Sequence, residues 1–160
     1  REFKSHRLNI EQKNDSLILV GSPVNKQTRA LLMTVIAHIK NMITGLKLGY
    51  KYDMKITYSH FPMTAEVKDK LVQVNNFLGE KHPRSAKIVG NSVVEIKGQD
   101  ISISGKKIEE VSQTAANVEL ATKVKGKDIR RYTDGIFVVK KGHIEDGAEL
   151  EIEIIRGREW

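Results

Sequence analysis

Apolar positions recur along this chain with two different periods, and the switches between them mark the elements. Leu8 and Ile10 alternate with Asn9 and Glu11, Lys13-Asn14-Asp15 supplies turn residues, and Leu17–Val20 is a short apolar run, a pattern that predicts a β-hairpin. Gly21-Ser22-Pro23 marks the change to helix, with Ser22 as the expected N-cap and Pro23 at the first helical position, where its missing N–H costs little. Leu31, Val35, Ile39 and Met42 then recur at spacings of three and four, flanked by Leu32, Ile36 and Ile43. That spacing predicts a long helix packed on a sheet by a wide apolar face and ended by Gly45. From Tyr50 the period becomes two: Tyr50, Tyr52, Met54, Ile56 and Tyr58 alternate with Lys51, Asp53, Lys55 and Thr57, as in a half-buried strand with a partly basic outer face. Further strands are predicted at Ala65–Lys68, Leu71–Asn75, Ala86–Val89, Val93–Lys97 and Ile101–Ser104, with turns at Asp69-Lys70, Gly90-Asn91 and Gly98-Gln99-Asp100. A second helix is expected from about Lys107 to Thr122, with Ile108, Val111, Ala115 and Val118 inward, and a last strand over Ile136–Val139.

Two stretches resemble each other: Asp15-Ser-Leu-Ile-Leu-Val-Gly21 before a helix carrying Thr28-Arg-Ala30, and Asp100-Ile-Ser-Ile-Ser-Gly105 before a helix carrying Thr114-Ala-Ala116. Strand–glycine–helix junctions arise by chance as well as by duplication; a duplication implies two related α+β domains joined near Leu48–Tyr50. The segments expected are a first α+β domain over 1–49, incomplete at its N-terminus, a second over 50–141, and a tail over 142–160. In the tail Glu145, Asp146, Glu149, Glu151 and Glu153 are acidic while Leu150, Ile152 and Ile154 alternate, so an edge strand or an ordered tail is expected there.

Charge changes the picture: 27 Lys and Arg against 20 Asp and Glu leave a net +7, so polyanions are the expected partners. A chain of 160 residues, 39% hydrophobic, suits one domain or two small ones, each marginal alone. Cysteine is absent, which excludes disulfides and thiolate metal sites and fits a reducing compartment. The apolar runs fall far short of the roughly 20 residues of a membrane helix, and no membrane partner is expected. Arg1 to Arg7 lacks the apolar stretch of a signal peptide, so a cytosolic location is expected. Because the chain begins on Arg1 rather than Met, a preceding portion is expected to have been cleaved or to lie outside this sequence.

Candidates for catalysis are poor. The five histidines, His6, His38, His60, His82 and His143, are scattered with no paired spacing on a helix face, and His38 suits the edge of a core. Gly105-Lys106 and Gly126-Lys127 lack the preceding glycine and following hydroxyl of a P-loop, and no Gly-x-Ser-x-Gly is present. Asp128 with Asp134, or His82, remains as the basis for an RNA-processing or RNA-modifying enzyme, against simpler roles for Asp128 as an ion-pair partner and Asp134-Gly135 as a turn. No metal or cofactor is expected.

The basic residues form two clusters. Lys123, Lys125, Lys127, Arg130 and Arg131 surround Gly126, which permits close backbone approach, and Lys81, His82, Arg84 and Lys87 surround Pro83. Lysine-rich loops are often merely solvated. A KH-type Gly-x-x-Gly loop and an aromatic RRM strand are both missing, so the expected recognition is of phosphate, 2′-hydroxyl and shape in folded RNA. A third reading makes the clusters a docking surface for acidic protein partners such as GTPases.

Phe61-Pro62, Asn76-Phe-Leu-Gly-Glu-Lys81, Ile103-Ser-Gly105 with Val111-Ser-Gln-Thr-Ala-Ala116, Lys127-Asp-Ile-Arg-Arg131 and Asp134-Gly-Ile136 follow one another in an order that resembles the large-subunit ribosomal protein L-six family. The archaeal–eukaryotic branch, called L-nine in eukaryotes, is the nearer match, and the likeness extends from about Ser16 to Lys141, taking in Thr28-Arg-Ala30 and Ile39-Lys-Asn-Met-Ile-Thr-Gly45. The resemblance implies two similar small α+β domains, each an antiparallel sheet packed against one long helix, in a structural, non-catalytic component of the large subunit of the cytoplasmic ribosome. It also implies that the second domain binds large-subunit rRNA near the sarcin–ricin loop and the base of the stalk, beside neighbouring ribosomal proteins and the docking place of translational GTPases. The residues it implies as RNA-contacting are Lys81, Arg84, Lys125, Lys127, Arg130 and Arg131, with Gly126 as a backbone contact. Phe77, Leu78 and Ile129 would be core, and Asp134-Gly135 a turn placing the final strand. The tail after Lys141 has no counterpart in the family.

Overall fold

The computed structural model describes residues 5–13 and 16–144. The expected turn at Asn14-Asp15 and the stretch from Glu145 to Trp160 lie outside the described residues. The residues gather into two compact units, one reaching to Ile43 and the other beginning at Thr44.

In the first unit, β1 (Leu8–Lys13) and β2 (Ser16–Gly21) form the expected hairpin, antiparallel from Leu8 opposite Gly21 to Lys13 opposite Ser16. The helix α1 (Lys26–Lys47) starts later than Ser22 and Pro23 suggest. Ser22 still belongs to the hairpin, its amide donating to the Arg7 carbonyl at 3.0 Å, and the Ser22–Pro23 peptide is cis. The cap is Asn25, whose Oδ1 accepts from the Thr28 amide at 2.8 Å and so satisfies one of the orphan donors of the first turn. Val35 is buried on α1, whereas Ile18 and Val20 of β2 stay largely exposed.

Gly45 does not end α1. A Cβ there would collide with the Lys106 carbonyl and the Tyr50 ring, so its glycine serves close packing within the second unit. The chain turns instead at Gly49, in the left-handed region at φ +67°.

The second unit contains β3 (Tyr50–Thr57), β4 (Thr64–Lys68), β5 (Leu71–Asn75), a 3-10 turn (Phe77–Gly79), β6 (Arg84–Lys87), β7 (Val93–Lys97), β8 (Asp100–Gly105), α2 (Ile108–Ala121) and β9 (Gly135–Gly142). Every strand pairing among the described residues is antiparallel, and the chain is α+β. The strands of this unit form two sheets, ordered β7-β8-β3-β9 and β4-β5-β6. Both edges of β3 are occupied, by β8 and β9, so β4, β5 and β6 satisfy their backbone groups in a sheet of their own.

Alternation places the core. Ile101 and Ile103 of β8 and Met54 and Ile56 of β3 are buried, and Val111, Ala115 and Val118 of α2 pack on them with Ile136 of β9. The second sheet adds Val72, Val74 and Ala86 to the same cluster, which Phe77 and Met63 complete. Burying each of these larger aliphatic side chains contributes roughly 1.5–3 kcal/mol before entropy is counted. Helix α2 meets the expectation closely: Val111, Ala115 and Val118 face inward, while Glu109 and Glu110 occupy its first turn, where the helix dipole favours negative charge.

Candidate nucleic-acid interface

The stretch from Thr122 to Asp134, between α2 and β9, carries Lys123, Lys125, Lys127, Arg130 and Arg131, and both of its ends are fastened. At the start, the buried Thr122 Oγ1 donates to the Val118 carbonyl at 3.2 Å and accepts the Ile136 amide at 3.0 Å, pinning the exit of α2 to the first residues of β9. At the end, Asp134 is 1% exposed. One carboxylate oxygen accepts the amides of Ser59 and His60 at 2.9 and 3.1 Å; the other lies 2.9 Å from His60 Nδ1 and 3.3 Å from the Ser59 hydroxyl. Burial alone would raise its pKa, but the bonds from His60 and Ser59 outweigh it and hold the group down at about 2.

Between these anchors the loop is braced by its own backbone. Asp128 accepts the Arg130 amide on its side chain at 2.9 Å and the Arg131 and Tyr132 amides on its carbonyl at 3.1 and 2.9 Å. Gly126 sits at φ +70° with open space where a Cβ would be, so its backbone is accessible to a ligand. Lys127 Nζ lies 4.7 Å from the centroid of the Tyr132 ring, and Tyr132 stacks on His60 at 4.6 Å and 25°. Residues 125–131 are all exposed. This includes Ile129, 71% exposed, which corrects the expectation that it is core: the turn built on Asp128 carries it over the surface. Phe77 is buried as expected and Leu78 is half-buried.

Arg84 links the two basic clusters. Its Nε donates to Glu80 Oε2 at 2.7 Å with Nη2 on the other oxygen, and its Nη1 reaches the carbonyls of Ala121 at 2.9 Å and Lys123 at 3.5 Å. The guanidinium also lies 4.2 Å from the Phe77 ring centroid. Arg84 therefore caps the end of α2 where the loop begins, and its hydrogen bonds hold the Glu80 carboxyl below the usual range. Lys81 and His82 are exposed on the segment leading to it.

The carboxylates named for catalysis do not converge. Asp128 is bonded within its own turn, and Asp134 is buried and saturated. Ser59, His60 and Asp134 share a site, but hydroxyl and carboxylate both approach the same nitrogen, Nδ1, so the ring cannot relay a proton between them. Among the described residues no group of three His, Asp or Glu is placed to hold a metal ion. Nor, among them, is any helix long and apolar enough to cross a membrane.

The model of the family described as ribosomal protein L6 matches residues 61–135, which take in Lys81, Arg84 and the whole basic loop. The large ribosomal subunit protein uL6 of Methanobrevibacter smithii is 45% identical over 141 residues, 88% of this chain and 79% of its own. That of Staphylothermus marinus is 49% identical over 149 residues, covering 91% and 80%, and that of Archaeoglobus fulgidus 47% identical over 141, covering 88% and 72%.

This chain belongs to the ribosomal protein L6 family. The family is structural and non-enzymatic. Sequence reasoning missed His60, Ser59 and Tyr132. The only signal for them was position: His60 stands next to the Phe61-Pro62 motif, and Tyr132 next to Arg131. Nothing in the spacing joins His60 to Asp134, 74 positions apart.

Proposed function

We propose that this L6-family chain is a constituent of the large subunit of the cytoplasmic ribosome that holds large-subunit rRNA through the loop 122–134 and the neighbouring Lys81–Arg84 segment. The observation that carries this reading is a loop fastened at Thr122 and Asp134 that presents Lys125, Lys127, Arg130 and Arg131 to solvent, without an acid among the described residues paired to any of them. Cations on a preformed loop neutralise phosphates at little ordering cost, and Gly126 lets the backbone itself approach. Arg84 contributes by capping α2 at the root of the loop. In this reading residues 50–141 form the RNA-holding domain, 1–49 a smaller α+β domain, and 142–160 a tail. The site on the RNA is the neighbourhood of the sarcin–ricin loop and stalk base, among other large-subunit proteins and close to where translational GTPases dock.

The test is a titration with folded large-subunit rRNA fragments and single-stranded controls of equal length across a salt series. The wild type is compared with the triple variant Lys125→Ala/Lys127→Ala/Arg130→Ala. Selective binding to one folded fragment is expected, with the log–log salt slope shallower by about 2–3 in the variant, at roughly 0.7–0.9 per lost phosphate contact. Equal and weak binding to every RNA by both proteins refutes the proposal.

A further inference from the structure

The ring of His60 is fixed from two sides. Its Nδ1 is 2.9 Å from a buried carboxylate oxygen of Asp134, and its ring is stacked on Tyr132. The side chain is nevertheless 33% exposed, and among the described residues its Nε2 meets no partner. An ionised Asp134 only accepts, so Nδ1 must carry the proton, and the Ser59 hydroxyl is free to donate to the same carboxylate at 3.3 Å. In the neutral ring that tautomer leaves Nε2 as a lone-pair acceptor. An acceptor is the wrong partner for a phosphate oxygen and the right one for a hydroxyl.

Its surroundings say which hydroxyl. Lys127 lies over the same Tyr132 ring that stacks on His60, and Arg130 and Arg131 follow on the loop, so phosphates are drawn to this edge. The donor covalently next to a bound phosphate is the ribose 2′-hydroxyl, which folded RNA displays across its shallow groove and DNA lacks. We propose that His60 is a ribose reader: Nε2 accepts a hydrogen bond from one 2′-hydroxyl of the bound RNA, making the interface selective for RNA in a way its cations alone are not. Asp134 is the positioning residue, setting the tautomer and the orientation of the ring. The proposal deepens the RNA-binding reading and rests on it.

The experiment uses the full chain at pH 8 and the large-subunit rRNA fragment that binds best, prepared as a series with single 2′-deoxy substitutions. The variant is His60→Asn, whose amide nitrogen keeps a donor near Nδ1 for Asp134 while removing Nε2. One deoxy position is expected to weaken the wild type by roughly threefold to tenfold, the worth of one hydrogen bond, and to leave His60→Asn unaffected. The salt slopes of the two proteins should coincide, because no phosphate contact is removed. An equal penalty in both proteins at every position overturns the proposal. So does the absence of any penalty in the wild type, a result that needs no variant to fold. If the wild type prefers no folded fragment over single strands, the RNA-binding reading fails and this one falls with it; a fragment bound selectively without a 2′-hydroxyl effect removes only the role of His60.

Discussion

Replacing Asp134 by asparagine keeps the oxygen that accepts the Ser59 and His60 amides and removes the charge that accepts from His60 Nδ1 and the Ser59 hydroxyl. The native carboxyl is held down from 3.8 to about 2, and a shift of that size corresponds to roughly 2 kcal/mol favouring the folded state when the group is ionised. A depressed folded pKa gives stability that is present in full above the unfolded value near 3.8 and is lost as pH falls through about 2. Asparagine does not titrate. The stability gap between wild type and Asp134→Asn should therefore stand near about 2 kcal/mol at pH 6, begin to close below pH 4, and approach its smallest value near pH 2. Urea unfolding followed by far-UV circular dichroism over that pH range measures it. A gap that is absent at pH 6, or that does not narrow in acid, would show that the bonds at Asp134 do not hold the loop in the way the geometry requires.

Gly45→Ala should destabilise the second unit by about 1–3 kcal/mol although the same change in an open helix is favourable by about 1, because the new methyl meets the Lys106 carbonyl, which cannot rotate aside. A thermal melt showing a gain in stability would contradict that packing. Arg84→Lys should cost about 1–2 kcal/mol, since an ammonium cannot make the forked contact with Glu80 and also reach the Ala121 and Lys123 carbonyls. An unchanged denaturation midpoint would remove Arg84 from the role of cap.

The order of elements was legible because it depends on local period and on turn chemistry. Leu71–Asn75 and Val93–Lys97 were predicted with the bounds the structure shows, and the inward face of α2 follows directly from the spacing of Val111, Ala115 and Val118. The helix ends were misplaced where a residue has two possible uses. Ser22 suits an N-cap but is still bonded to the hairpin, and Gly45 suits a terminator but serves close packing. The resemblance between the two strand–glycine–helix stretches has a counterpart in the structure. Within its own unit, each glycine ends a strand against the first turns of the following helix, where a Cβ would fall 2.8 Å from Thr28 Cγ2 at Gly21 and 2.9 Å from Val111 Cγ2 at Gly105.

The sequence by itself determined the element order, the α+β class, the family and the places where cations gather, because these follow from periodicity, composition and motifs written in consecutive residues. Only the tertiary structure decided how those cations are held. Asp134, a turn residue by sequence, is a buried anchor; Arg84, one cation among several, is the cap that joins the clusters; Ile129, apolar by sequence, is exposed; and His60 is brought against the basic loop from the segment after β3. The contacts of Asp134, Arg84 and His60 join residues distant in the chain, whereas Ile129 is carried outward by the local turn on Asp128. Hydrogen-bond geometry and burial at such contacts are set by the packing of strands and helix, and no local spacing encodes them.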